Sequence, residues 1–365
     1  MIKLADKTNK FVSLFDPKTG FYVRSGVIEN GKDTGVDPFM TTYPQLIDVG
    51  IMGHCDSGKK GLCKNAGIQC YQDGLNKSLP NMTLDDFKKI VDESKGKVFQ
   101  IALGGRGNPN KHENFKEILQ YCRANDIVPN YTTSGMELTD KEVALTKEYC
   151  GAVAVSWQRG RHTSDAIQKF IDAGCKTNIH YVLGNFSIRE AINRLLPGQD
   201  ELTAFPAGIN AVIFLAHKPV GLGDEANVLQ PGDPFVKRFF DLIDNSVFPF
   251  KIGFDSCSVP GILNYTSKID KASIDTCEGA RWSMYISADM VALPCSFDQD
   301  HRWGYRLEAN GFYGGKIQDA WDSIQFESFR DSFRTSCKGC KDVVECKGGC
   351  PIKKQVVLCD RSEKS

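Results

Sequence analysis

Between about residues 46 and 255 the chain alternates short apolar runs with longer segments whose apolar residues recur at helical spacing. "QLIDVGIM" (45–52) reads as a strand. The helix after it opens at "TLDDFKKIVDES", where Thr83 predicts the N-cap and Asp85 and Asp86 fall in the first turn. "KVFQIAL" (97–103) precedes "ENFKEILQYCRAN", which sets Phe115, Ile118, Leu119 and Cys122 on one helical face. The pattern continues with "IVPNYTTS" before "TDKEVALTKEY", "GAVAVSW" before "SDAIQKFIDAG", "KTNIHYVLG" before "SIREAINRLL", and "AVIFLAH" before "DPFVKRFFDLIDN". Six strand–helix units in series predict an α/β fold with parallel strands inside and helices outside, a full or partial (β/α) barrel. A doubly wound open sheet is the alternative.

The segments that follow the strands are polar and rich in glycine: "GHCDSGKK", "GGRGNPN", "TTSGMEL", "SWQRGRH", "HYVLGNF" and "AHKPVGLG". In barrels of this kind the chemistry gathers there. From residue 256 onward the periodicity weakens, although "WSMYISADMVALPC" reads as a hairpin turning near Ala288 to Met290. A domain boundary is expected between 246 and 256. The first 44 residues include "FVSLFDPKTGFYVRS", a predicted β-hairpin with its turn at "DPKTG".

Composition excludes several classes of function. Forty-five basic residues balance 45 acidic ones, so no net field points to nucleic acid or to an anionic membrane surface. No apolar run reaches the length of a membrane span, and the N-terminus shows no secretory signal, so a cytoplasmic protein with neither nucleic acid nor membrane as partner is expected. Fourteen cysteines in a reducing compartment then point to metal rather than to disulfides.

The cysteines are unevenly spread. Cys55, Cys63 and Cys70 form an early group behind the first strand, and eight more lie between Cys257 and Cys359. Cys122, Cys150 and Cys175 stand alone and read as small buried apolar residues. Cys337, Cys340, Cys346 and Cys350 are spaced C-x2-C-x5-C-x3-C, with Cys359 after them, and the glycines of "CKGGC" allow tight turns around a metal. Taken alone this segment suits a structural zinc. The eight late cysteines, which add Cys257, Cys277 and Cys295, divide into two sites of four, and two zincs or two iron–sulfur clusters satisfy that count equally. The early group is three. Three thiolates on a four-iron cube leave one iron open at the barrel mouth, where a chelating small molecule can bind. His54, beside Cys55, reads as a strand-end histidine without a metal role.

With these patterns the chain resembles the radical S-adenosylmethionine (SAM) enzymes that carry a C-terminal SPASM domain, over roughly residues 45 to 359. The resemblance implies a partial (β/α)6 TIM-type barrel at 45–250, after an N-terminal hairpin at 1–44, and a small cysteine-rich SPASM domain at 251–365. It implies three [4Fe-4S] clusters. One, on Cys55, Cys63 and Cys70, chelates SAM. One auxiliary cluster falls to Cys337, Cys340, Cys346 and Cys359, the other to Cys257, Cys277, Cys295 and Cys350. The early spacing C-x7-C-x6-C is wider than the family's C-x3-C-x2-C, but Tyr71 supplies the aromatic that usually follows the third cysteine. Where the family has GGEP the chain reads Gly104-Gly105-Arg106-Gly107-Asn108-Pro109, without the carboxylate that meets the SAM ammonium. Asn108 is the substitute acceptor, and Arg106 is placed toward the SAM carboxylate. Thr133 and Ser134, then Ser156 with Gln158, occupy positions of SAM-contacting residues, and His180 is placed to reach cofactor or substrate.

The same resemblance implies an enzyme that uses a 5′-deoxyadenosyl radical to abstract hydrogen from a precursor peptide or protein, with an electron donor such as flavodoxin or ferredoxin as partner. Installation of a thioether or carbon–carbon crosslink in a ribosomally made peptide is the preferred reading, with epimerisation next. Sulfatase maturation by formylglycine formation is weakened because Ser296, not aspartate, follows Cys295, which leaves Asp298 and Asp300 as the candidate bases. From a different class, a zinc or iron–sulfur scaffold protein would have no use for an open-site cluster.

Overall fold

In a computed structural model, residues 1–199, 203–311, 313–335, 337 and 339–359 are described. The N-terminal segment forms a three-stranded antiparallel sheet of β1 (Ile2–Asp6), β2 (Phe11–Phe15) and β3 (Tyr22–Arg24), followed by a short ladder of β4 (Ile28–Glu29) and β5 (Lys32–Asp33). The predicted turn is present, with Asp16 accepting from the Lys18 amide and the Thr19 hydroxyl. Phe15 packs on Phe99, which fixes this sheet to the barrel.

Seven parallel strands follow in sequence order: β6 (Leu46–Met52), β7 (Gln100–Gly105), β8 (Val128–Thr133), β9 (Val153–Ser156), β10 (Thr177–Leu183), β11 (Ala211–Ala216) and β12 (Lys251–Phe254). Between β6 and β7 run α1 (Asp56–Lys59), α2 (Leu62–Asn65) and α3 (Leu84–Ser94). The later crossovers are α4 (Phe115–Ala124), α5 (Asp140–Tyr149), α6 (Arg161–Asp172), α7 (Ile188–Leu195) and α8 (Pro234–Asn245). The six expected strand–helix units are all present, and the sheet is open, with β12 at one end. Thr83 caps α3 by accepting from the Asp86 amide at 3.1 Å.

Alternation within the strands divides two environments. On β6, Ile47, Val49 and Ile51 are buried against the helices, while Asp48 faces the barrel lumen. Register carries the lumen face around the sheet: Asp48 opposes Ala102, Ala102 opposes Asn130, and Ser156 opposes His180. Apolar stripes such as Ala166, Ile167 and Phe170 of α6 cover the outer face.

The sheet continues through the expected boundary at 250. β12 pairs with β11, and β13 (Ser283–Ile286) adds to the free side of β6 in parallel. After α9 (Val259–Tyr265), the predicted hairpin appears as β13 and β14 (Val291–Leu293), extended by β15 (Tyr305–Arg306). The chain ends in α10 (Ile317–Trp321), α11 (Ile324–Arg334) and α12 (Val343–Cys346). Cys122 is buried as expected, whereas Cys150 and Cys175 are only partly so, because each sits where a helix ends.

A buried arginine joins α11 to the rest. Arg330 donates from Nε to the Ala280 carbonyl and from Nη2 to that of Trp321, each at 2.7 Å, with its guanidinium over the Trp321 ring. Arg330→Ala leaves both carbonyls without a donor and lowers unfolding free energy by about 3 kcal/mol in urea titrations. Arg330→Lys recovers only part of this, since an ammonium lacks the planar fork.

Candidate functional site

The early cysteines lie on the excursion between β6 and α3. Cys55 caps α1, its Sγ accepting from the Gly58 amide at 3.2 Å, Cys63 lies within α2, and the Cys70 carbonyl accepts from the Asp73 and Leu222 amides. Burial raises the Cys55 thiol, and the neighbouring Cys70 raises it further. Cys63 is raised by burial and then by both Cys55 and Cys70. The three thiols thus share one electrostatic neighbourhood.

The loops of other strands brace this excursion. Gly105, at φ 110°, lies so close to β6 that a Cβ there would stand 2.4 Å from the Met52 carbonyl oxygen. Gly221, at φ 62°, presses the loop after β11 onto Tyr71, where a Cβ would meet the Tyr71 carbonyl oxygen at 2.4 Å. Arg106 donates from Nε to the Gln72 carbonyl and from Nη1 to the Gly53 carbonyl, both at 2.9 Å. It clasps both ends of the cysteine excursion. Two of its nitrogens are thus committed to main chain, a bracing role that the sequence did not show. Asn108 and Ser134 hold each other: the Asn108 amide donates to Ser134 Oγ, and the Ser134 main-chain N–H donates to Asn108 Oδ1.

The remaining SAM-contact candidates separate. Gly104 has open space where a Cβ would lie, and Ser156 and His180 face the lumen. Thr133 does not: it is buried on the opposite face, its hydroxyl accepting from the Gly135 amide. The lumen position belongs to Thr132, 3.3 Å from His180 Nδ1, a one-residue shift that reverses sides because strand side chains alternate. Gln158 is engaged with His162 at the start of α6. Tyr71 lies against Phe297, ring centroids 4.6 Å apart.

The late cysteines fall into two neighbourhoods. Cys257 packs against Cys350, and this contact, with burial, holds the Cys257 thiol well above the ordinary range, while the same contact, against burial, lowers that of Cys350. Burial raises Cys277 and pushes Cys295 up to about 12, and each is raised further by Cys257. Burial likewise pushes Cys346 up to about 11, and Cys359, Cys337 and Cys340 add to it. Among the described residues, no three Cys, His, Asp or Glu side chains meet as ligands of a single metal ion. A four-iron cube places each thiolate on a different iron, so its ligands stand farther apart than those of one zinc. The donor sets, all thiol, with Cys277 and Cys350 buried and the others partly so, suit such cubes.

Neither candidate base stands free in the lumen. Both Asp298 oxygens accept main-chain N–H groups, from Arg302 at 3.1 Å and Trp303 at 3.0 Å, and Asp300 is exposed. The sequence reading missed Asp48. Its carboxyl is pushed up to about 7, by burial first and then by Glu278. An acid inside the apolar run "QLIDVGIM" was the available signal.

No protein-family model matches the chain. It is 21% identical over 318 residues to the mycofactocin maturase MftC of Mycolicibacterium smegmatis, across 79% of this chain and 75% of that protein. Its structure is similar to that of Streptococcus suis SuiB bound to the precursor peptide SuiA, with a TM-score of 0.62 and 15% identity over 86% of this chain and 73% of SuiB. It is also similar to anSMEcpe with bound AdoMet, with a TM-score of 0.57 and 16% identity over 87% of this chain and 93% of that one. The fold is the radical SAM partial barrel. The chain therefore resembles radical SAM peptide maturases in sequence and in architecture.

His180 gives the lumen a pH signature. Burial pushes its imidazole down to about 4, partly offset by Asp255. The unfolded chain takes up this proton first as pH falls, so the stability from a neutral His180 is present above about pH 6.5 and lost between there and 4. His180→Gln is expected to shrink the stability difference between pH 7 and pH 4 by about 2 kcal/mol in denaturant titrations, the shift being discounted for lumen water.

Proposed function

We propose that this protein is a radical SAM enzyme that modifies a ribosomally made peptide, with SAM and one [4Fe-4S] cluster at Cys55, Cys63 and Cys70. The observation that carries the reading is the half-buried three-thiol neighbourhood at the mouth of a radical SAM barrel, set apart from eight further thiols in two groups of four. Cys257, Cys277, Cys295 and Cys350 would hold one auxiliary cluster, and Cys337, Cys340, Cys346 and Cys359 the other. Bound there, a reduced cluster with SAM supplies a 5′-deoxyadenosyl radical for hydrogen abstraction.

The chain's own residues prepare the place. Arg106 fixes Gly53 and Gln72, so both ends of the excursion that carries the thiols are held against β6. Asn108 and Ser134 keep the loops after β7 and β8 together at the same rim. The lumen below offers Asp48, Thr132, Ser156 and His180 to substrate. A peptide as that substrate is supported by likeness to SuiB, seen with a precursor peptide, and to the maturase MftC. Crosslinking, as a thioether or a carbon–carbon bond, is the preferred outcome. A flavodoxin or ferredoxin would supply the electron, and the domain division at 1–44, 45–250 and 251–365 serves this assignment.

The reading is tested by anaerobic reconstitution. About twelve irons with matching sulfide are expected per chain, and about eight in Cys63→Ala. With SAM and dithionite the native chain is expected to release 5′-deoxyadenosine and Cys63→Ala none. Two zincs without labile sulfide would end the proposal in favour of a scaffold.

A further inference from the structure

We propose that the cavity between the cysteine excursion and the β13–β14 hairpin binds a carboxylate of the peptide substrate, with Gln72, Arg106 and Lys77 as its donors. This rests on the peptide-modifying reading and adds the chemistry by which the peptide is held. The cavity encloses about 420 Å³, walled by Gln72 and residues 76–79 on one side and by Tyr285, residues 287–289 and His301 on the other. That volume accommodates a peptide side chain or chain end. Ser134, Ser156, Gln158 and His180 do not line it, so it is distinct from the lumen row described above.

Its lining sets two cations, Lys77 and Arg106, against a single acid. Gln72 is 4% exposed, and its Nε2, with two N–H donors, lies beside the Tyr71 and Tyr285 hydroxyls without closing a hydrogen bond to a described residue. Arg106 meets main-chain carbonyls with Nε and Nη1, which leaves its positive charge without a carboxylate, and Lys77 at the rim forms no ion pair among the described residues. The one acid in the lining is already matched: Asp289 accepts from the Ser287 hydroxyl and pairs with Arg306 at 3.8 Å. Two unmatched cations and an unused amide donor select a ligand that both accepts hydrogen bonds and carries negative charge. On a peptide that is an Asp or Glu side chain or a free C-terminus. Gln72 is two residues beyond Cys70, so a carboxylate held here anchors the peptide beside the three-thiol group.

The test uses the full-length, anaerobically reconstituted protein with SAM and three N-terminally fluorescein-labelled hexa-alanine peptides. One carries a central Glu and an amidated end, one a central Gln and an amidated end, and one a free C-terminal carboxylate. At least one carboxylate peptide is expected to bind about tenfold more tightly than the neutral one by anisotropy, and which one it is distinguishes side chain from C-terminus. Lys77→Ala and Gln72→Met are each expected to remove about five- to tenfold of that affinity and to leave SAM affinity unchanged. Without peptide, Gln72→Met is expected to raise the thermal midpoint by about 2 °C, because the unmade buried donor is gone, whereas a purely structural Gln72 would lower it. Equal binding of all three peptides, binding of none, or full affinity in both variants overturns the proposal. A loss of SAM affinity in Gln72→Met also overturns it, by giving the cavity to SAM. Release of 5′-deoxyadenosine is read separately: a protein that forms it without preferring carboxylates defeats this inference and leaves the enzyme reading intact.

Discussion

One buried ammonium holds the functional end of the molecule together. Lys218, just beyond β11, has a side chain only 2% exposed and pairs with Asp255, just beyond β12, at 2.6 Å. Nζ also donates to the Ala216 carbonyl, and Asp255 accepts from the Ala216 amide and the Ser258 hydroxyl. Burial alone would strip the proton from such a lysine. The charges of Asp255, Cys257 and Cys350 outweigh it and raise the group well above its ordinary value. The same ammonium lies 4.3 Å from the centroid of Phe297, and Phe297 lies on Tyr71. Thus one cation ties the ends of two parallel strands to the late cysteines and, through two rings, to the early group.

That arrangement explains how thiols become concentrated in a protein without a net field. Cys55, Cys63, Cys277, Cys295, Cys337 and Cys346 are each raised in part by neighbouring thiols of their own group, since a thiolate near another thiolate is unfavourable. Within the group of Cys257, Cys277, Cys295 and Cys350, Lys218 relieves Cys257 and Cys295 locally, since its charge lowers both thiols. The geometry also places that group against β6, because β13 pairs with β6 and so carries the Cys277 to Cys295 segment alongside the barrel. A separate module joined by a linker would lack this coupling. Here the parallel sheet itself spans both regions.

Much of this was legible in the sequence, and the reason differs by feature. The strand–helix units were readable because apolar periodicity is a local property: Phe115, Ile118, Leu119 and Cys122 are buried on α4 at the spacing the sequence shows. The cysteine groups stood out because few other structures require thiols at such spacing. What escaped was anything set by register or by long-range pairing. Thr132 and Thr133 differ by one position and face opposite sides of β8, and nothing local decides between them. The role of Arg106 could not be read either, since its partners are carbonyls of Gly53 and Gln72, 53 and 34 positions away in the chain. Lys218 and Asp255 look unremarkable apart and acquire meaning only when β11 and β12 lie side by side.

The question of the base turns on the same distinction between local and long-range structure. Asp298 follows Cys295 closely, and by sequence that proximity made it a candidate. In the fold, the proximity is what commits it: the turn after Cys295 uses both Asp298 oxygens to hold the amides of Arg302 and Trp303. A carboxylate so bonded already has both oxygens engaged with main chain and stands apart from the lumen. Asp48 lies far from every cysteine in sequence yet faces the lumen. Its charge contributes to raising the Tyr71 and Tyr285 phenols and the Cys295 thiol, and its own carboxyl is pushed up to about 7. Burial and Glu278 give it the property a base needs, a protonation equilibrium balanced at working pH, without a hydrogen bond to a described residue that would have to be broken first. A base for substrate held in this barrel is therefore better sought on the inner face of β6 than in the cysteine-rich turn.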